Sequence, residues 1–425
     1  MDNKRSITLA VPAFLIGLLS LGCGGGGNGN QGQPDSGADT GQNQDGAVDA
    51  GADAGGDIDT DGDTDGDTDT DIDADTDADG DSDAAPDATP DGGDADADAD
   101  ADTDTDVDAD ADADSDWLPI PAGSFWMGSP DGTCPTDYPG GAGCASEMGR
   151  NSGGEDLHYV QLTHGFKIMS TEVTQGQFES VMGWNPSWFG PNGPVVDCGS
   201  ECPVETVSWY DSVAYANQLS LDHSLTPCYT FSNVECVDLT NQGANYMNCM
   251  NTTRGGIDSA TVGLNGVTSV YHCKGYRLPT ESEWEYAIRA GSLTAFYPSD
   301  GNDGNITNMW CSPLDQNLDQ IGWYCGNAPL GMTHPKAGKE SNAWGLYDMS
   351  GNVSEWIWDW AIEAYPSGNT STPLVDPEGP SSGMYRVARN CAYFEFAQYC
   401  RSASRGGDAP SRRAEARGFR LARSN

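Results

Sequence analysis

The sequence predicts an α+β domain with much irregular backbone over residues 117–425, preceded by a signal peptide and a disordered aspartate-rich linker. Three observations carry this prediction. Helix-start signatures stand at three widely spaced points, and the chain between them alternates in short runs broken by Gly, Pro and Asn. The extreme acidity is confined to the first 116 residues.

The N-terminus reads Met1-Asp2-Asn3-Lys4-Arg5, followed by an apolar run over residues 7–21 and then Gly22-Cys23. A basic start and a short apolar stretch make residues 1–22 a signal peptide, too short for a membrane span. A small residue before a single cysteine resembles the lipobox of bacterial lipoproteins, in which the Cys23 thiol is diacylated after export. Ser20 stands where Leu is usual. Gly24, in place of Asp, implies by the same resemblance an outer-membrane destination. Acyl chains contribute ~0.8 kcal/mol per buried CH2, so more than one chain holds such a protein stably at the membrane.

Residues 23–116 then form a lipidated cysteine plus tether, built of Gly, Asn and Gln and then of Asp-Ala, Asp-Thr and Asp-Gly dipeptides. Residues 1–116 hold 34 of the 66 acidic residues and only Lys4 and Arg5 as bases, a formal charge of −32. Scarcely any apolar side chain is available to offset the entropy of ordering, so the segment is expected to stay an extended, self-repelling coil. The stretches beginning at Asp61 and Asp75 start like EF-hand loops. Ile72 and Pro86 occupy the twelfth position, where a bidentate Glu closes such a site, so a solvated spacer is expected.

The remainder carries a formal charge of −15. A domain of that sign repels phosphate, which argues against a nucleic-acid partner. Cys23 aside, twelve cysteines lie between Cys134 and Cys400. An even number in an exported domain points to disulfides. Neighbouring cysteines suggest Cys134–Cys144, Cys198–Cys202, Cys311–Cys325 and Cys391–Cys400. Cys228, Cys236, Cys249 and Cys273 form a nested or a crossed set. Without a Cys-x-x-Cys, and with His158, His164, His223, His272 and His334 scattered, the pattern argues against zinc.

The helix starts are Thr174-Gln-Gly-Gln177, Ser208-Trp-Tyr-Asp211 and Thr280-Glu-Ser-Glu283, each placing a hydroxyl and an acceptor side chain three residues apart, the second with the shorter Asp in place of Gln or Glu. Apolar residues then recur at helical spacing: Phe178, Val181 and Met182; Trp209, Val213, Ala216 and Leu219; Trp284, Ala287 and Ile288. Gly183 and Gly291 offer left-handed stops. Residues 159–169 and 418–422 read as strands.

Six blocks now become recognisable in order: Ile120-Pro-Ala-Gly-Ser-Phe-Trp-Met-Gly128, Thr171-Glu-Val-Thr-Gln175, Pro203-Val-Glu-Thr-Val-Ser-Trp209, Gly275-Tyr-Arg-Leu-Pro-Thr-Glu-Ser-Glu-Trp-Glu-Tyr-Ala287, Asn342-Ala-Trp-Gly-Leu-Tyr-Asp-Met-Ser-Gly-Asn-Val-Ser-Glu-Trp356 and Arg417-Gly-Phe-Arg-Leu-Ala422. Together they resemble the formylglycine-generating, or sulfatase-modifying-factor, family. The resemblance implies that family's irregular mixed α/β fold, related to C-type lectins.

Catalytic members of the family oxidise a substrate cysteine to formylglycine with two thiols, copper and oxygen, and soft thiolates suit Cu(I). Those thiols follow an Arg-Gly-Gly-Ser-aromatic block, which here reads Arg389-Asn390-Cys391-Ala392-Tyr393. Glu395 falls at the first thiol, Cys400 is a candidate for the second, and Ser354 stands where the family has Trp. Cys391 and Cys400 are therefore the candidate catalytic pair, with an ordinary disulfide as the competing expectation.

Asp348, Gly351, Val353 and Glu355 match the family's structural calcium loop, where hard oxygen donors suit Ca2+. A second calcium site near Asn305 or Asp319 is an open alternative. His158 and His334 flank matched blocks as cleft candidates or as structural side chains. No Gly-x-Ser-x-Gly elbow occurs, and no His-rich iron set of the kind found in the family's sulfoxide synthases. The expected function is a membrane-anchored exported module, binding or structural, that has lost the oxidase thiols and meets an exported protein or a surface ligand. The alternative is a copper-dependent formylglycine-generating oxidase.

Overall fold

The computed structural model describes residues 116–425, save 152–153, 239–244, 251–254, 300–302 and 329. The expected signal peptide, Cys23 and the tether with its EF-hand-like stretches lie outside the described residues. In chain order the elements are β1 (Trp117–Ile120), β2 (Gly123–Met127), β3 (His158–Leu162), β4 (Phe166–Met169), α1 (Gln175–Met182), α2 (Trp209–Asp222), β5 (Tyr229–Cys236), α3 (Met247–Met250) and β6 (Ile257–Leu264). They continue as β7 (Tyr276–Arg277), α4 (Glu281–Arg289), α5 (Gln316–Ile321), β8 (Ser354–Trp360), β9 (Leu374–Val375), β10 (Arg386–Arg389), β11 (Arg405–Asp408), β12 (Arg417–Gly418) and β13 (Ala422–Ser424).

All three expected capping boxes close. Thr174, Ser208 and Thr280 each accept the backbone N–H three residues on, and Gln177, Asp211 and Glu283 reach back to the cap. Gly183 ends α1 in the left-handed region. At α4 the expected stop shifts by one residue: Ala290, at φ 45°, takes the left-handed position ahead of Gly291. The run over 159–169 divides into β3 and β4, and the run over 418–422 breaks between β12 and β13. In that break the Arg420 side chain turns inward to meet Glu355.

The strands form two four-stranded sheets, β1-β4-β13-β7 and β11-β10-β8-β12, a three-stranded β2-β3-β9 sheet and a β5-β6 ribbon. In the second sheet Arg389 of β10 and Gly418 of β12 both lie opposite Glu355 of β8, so three distant segments converge there. Trp209, Trp284 and Trp356 are wholly buried around β8. Their indole N–H groups donate to the Ile357 carbonyl, the Glu355 carboxylate and the Val207 carbonyl. Arg277, Arg389, Arg401 and Arg420 are buried as well, and each meets a carboxylate, as the cost of burying a bare charge requires.

Among the described residues six disulfides brace the fold. The four neighbouring pairs form as expected, and the remaining set is nested, with Cys236–Cys249 inside Cys228–Cys273. Such bridging marks an exported protein folded in an oxidising compartment.

Candidate functional site

Arg389 ends β10 in the core, hydrogen-bonded to Glu281 and Glu285. The chain then turns at Asn390, whose φ of 69° is one that Asn tolerates better than most residues. Cys391 and Cys400 close the following loop as a disulfide with a Cα–Cα distance of 4.7 Å, and both residues are buried. All twelve cysteines among the described residues are disulfide-bonded. A bridged sulfur is no thiolate, so this segment does not fit copper. Glu395, at the position of the first family thiol, folds back to accept the Ala392 N–H at 2.9 Å.

The bridge turns aromatic side chains outward. Phe394 (50 % exposed), Phe396 and Tyr399 project from this loop, and Trp310 stands against Phe396 with centroids 5.2 Å apart. Backbone hydrogen bonds from Cys325 to Glu395 and from Gln398 to Met309 tie the loop to the neighbouring one, which is itself closed by Cys311–Cys325. Tyr393 continues the surface into a groove of about 430 Å3 lined by Trp188, Phe189, Val195, Val196, Leu330 and Met332, with Glu415 on its rim. Phe189 meets Tyr393 edge-on at 5.6 Å. Sequence reading missed this face. Its signal was the run of four aromatics between Cys391 and Cys400.

Beneath the groove lies Glu205, wholly buried, accepting from the Phe189 and Trp188 N–H groups and from the Thr206 hydroxyl. Burial pushes its carboxyl up from an ordinary value of 4.5 to about 7. Because the folded value exceeds the unfolded one, the contribution of Glu205 to stability is complete below about pH 4.5 and is lost as pH rises through about 7. Unfolding free energies from urea titrations at pH 5 to pH 8 should fall by up to about 3 kcal/mol, and Glu205→Gln should flatten that slope.

The calcium-loop residues do come together, but their donors are engaged. Asn390 Nδ2 donates to the carbonyls of Gly351 at 2.7 Å and of Val353 and Asp348 at 3.0 Å each. The amide nitrogen thus occupies the point on which those carbonyls converge. Both oxygens of Glu355 accept from Arg420 Nε, and one also accepts from Trp284. Asp348 Oδ2 accepts from the Ala337 N–H, leaving only Oδ1 without a hydrogen-bond partner. The expected four-donor set therefore does not fit a calcium ion. Burial lifts Asp348 to about 6 and raises Glu172, a neighbouring buried carboxyl, well above its ordinary range. Among the described residues, Asn305 offers its carbonyl to Asn317, and Asp319 holds Asn327 and Lys339.

The two histidine candidates do not enter this face. His158 is buried, stacked on Tyr365 with Nδ1 2.7 Å from the Asp156 carbonyl. His334 lies flat on Trp323 at 3.9 Å, and its backbone exchanges hydrogen bonds with the Asn352 side chain. Burial lowers the pKa of both.

Residues 103–425 match the profile of the sulfatase-modifying factor enzyme 1-like domain. The chain belongs to the sulfatase-modifying-factor family. Its α+β architecture is this family's C-type-lectin-like fold. It is 35 % identical over 223 residues to the chaperone protein LppX of Paenibacillus barcinonensis, covering 48 % of this chain and 66 % of that one. Against the formylglycine-generating enzyme of Thermomonospora curvata the identity is 34 % over 156 residues, covering 35 % of this chain and 49 % of the enzyme. The chain thus spans about half to two thirds of the length of these curated relatives. Among solved structures, Treponema denticola variable protein 1 superposes with a TM-score of 0.50 at 29 % identity, over 73 % of this chain and 95 % of that one. In this member of the sulfatase-modifying-factor family, the segment after β10 is a bridged, aromatic-bearing loop.

Proposed function

We propose that this chain is an exported binding module, lipid-anchored to the outer membrane through Cys23, that has lost the family's oxidase chemistry. In this reading the face around the Cys391–Cys400 loop holds apolar and aromatic stretches of exported protein. The observation that carries the proposal is the bridge itself: a site that would need two thiols has none, and its loop displays rings to solvent instead. Tyr and Trp supply large contact area at little conformational cost, and contiguous exposed apolar surface of this kind is characteristic of interaction sites. Glu415 and the exposed Asp197 near the groove favour basic residues flanking the apolar stretch. That the similar protein LppX is named a chaperone supports a partner of this class.

The test has two parts. In the folded domain no thiol should titrate, and incubation with copper, oxygen and a peptide bearing Cys-x-Pro-x-Arg should yield no aldehyde. Two reactive thiols together with aldehyde formation would establish the oxidase instead. Reduced, carboxymethylated lactalbumin should bind the protein, and Phe394→Ser with Trp310→Ala should weaken that binding at least about ten-fold, since each lost aromatic anchor costs more than about 1 kcal/mol. Unaltered binding in the double variant would refute the assigned face. Palmitate incorporation that survives Cys23→Ala would refute the anchor.

A further inference from the structure

A second hollow, sharing no residue with that face, is bounded by β2, β3 and α4. Its volume of about 450 Å3 lies in the range typical of ligand pockets, roughly 300–1,000 Å3. Five aromatic residues line it: Phe125, Trp126, Tyr159, Tyr286 and Trp344. The rings brace one another, with Phe125 and Tyr286 at 5.1 Å, Tyr286 and Trp344 edge-on at 4.9 Å, and Trp126 and Tyr159 at 5.1 Å. Gly123 makes room for the arrangement, because a Cβ there would come within 2.1 Å of the Tyr286 hydroxyl.

Among the described residues of the lining, one carboxylate completes the hollow. Asp137 sits on its exposed side, within the loop closed by Cys134–Cys144. Its Oδ2 accepts from the Thr370 N–H at 2.8 Å and from the Thr370 hydroxyl at 2.5 Å, which fixes the carboxylate's direction and holds its pKa below the usual range. Arg289 also lines the hollow, but it is 3 % exposed and its charge is met inside the protein. Nε donates to Glu285 at 2.9 Å and Nη2 to the Gly128 carbonyl at 2.7 Å.

Aromatic faces attract a cation through their quadrupole, and a carboxylate adds the same preference. A primary ammonium would exchange its full hydration for scattered hydroxyls of Ser124, Ser292 and Thr370 and one carboxylate, a loss not repaid by rings. A fully methylated nitrogen has no N–H to satisfy and presents apolar methyl groups to the rings. From this arrangement we infer that the hollow is a binding site for a compact quaternary ammonium group such as the trimethylammonium of choline.

The full chain with Cys23→Ala, titrated calorimetrically with choline chloride at constant ionic strength, should bind one equivalent. The uncharged isostere 3,3-dimethylbutan-1-ol should bind about ten-fold more weakly, the cation–π and carboxylate attraction being lost. Trp344→Ala and, separately, the exposed change Asp137→Asn should each weaken choline binding while leaving capture of carboxymethylated lactalbumin intact. Failure here is thereby distinguishable from failure of the proposed function. Phosphatidylcholine vesicles that capture this chain where phosphatidylglycerol vesicles do not would identify the source as a lipid headgroup, and capture by neither, with choline still bound, would identify it as a free solute. Absence of saturable choline binding, or equal affinity for the isostere, would overturn the assignment.

Discussion

Replacing Arg420 by Met should lower the unfolding free energy by about 3–5 kcal/mol, the range seen when one partner of a buried ion pair is removed. Arg420 and Glu355 are both wholly buried, and the guanidinium bonds both Glu355 oxygens from Nε at 2.9 and 3.0 Å. Its other nitrogens donate to the carbonyls of Met169, Ser170 and Tyr347. Glu172 and Asp348 draw on the same positive charge. Removal of the cation therefore leaves three carboxyl groups around a site with no counter-charge, in a domain whose whole stability is on the order of 5–15 kcal/mol. Urea unfolding followed by tryptophan fluorescence measures the loss. Adding Glu355→Gln should restore part of it, because the amide still accepts the Trp284 indole N–H without bringing a charge. A single-variant loss below about 1 kcal/mol would show that the carboxyl groups are already neutral or otherwise compensated.

What could be read in the sequence divides by the range of the interaction. Thr174, Ser208 and Thr280 cap residues three positions away, so the helices they open were visible in the string alone. The exchange of Gly291 for Ala290 at the end of α4 was not, because a short side chain at φ 45° is tolerated only where the surrounding packing holds it. Cys391–Cys400 was legible as a neighbouring pair. Cys228–Cys273 was legible only as one of two alternatives, nested or crossed, because β5 and β6, which bring its partners together, were not foreseen. The six resemblance blocks located the loop at 348–355, yet the group that fills it comes from the segment after β10, and only the pairing of β8 with β10 sets Asn390 beside it. The aromatic hollow draws on β2, β3, α4, the 134–144 loop, the loop that carries Trp344 and the 369–372 turn, six separate stretches whose adjacency no local pattern encodes.

Asn390 carries the second large expectation. Its amide donates to three carbonyls, and its Oδ1 accepts from the Gly351 and Cys391 N–H groups at 2.7 and 2.8 Å. Asn390→Gly preserves the backbone, since glycine adopts φ 69° freely, and removes only the amide. Carbonyls and N–H groups left without partners in this half-buried setting cost about 1–3 kcal/mol apiece where water does not replace the bond, and a total loss of about 2–4 kcal/mol is expected. The vacated point lies between the Gly351 and Val353 carbonyls, the donors that a cation would use. Added calcium should therefore raise the melting temperature of the glycine variant by mass action while leaving that of the native chain unmoved. A chelator should likewise leave the native chain unmoved. A native melting point that falls in chelator would mean that Asn390 yields its place to an ion and that the loop is a calcium site after all; indifference in the native chain, with calcium rescue in the variant, would mean that a side-chain amide has taken over the work of a metal.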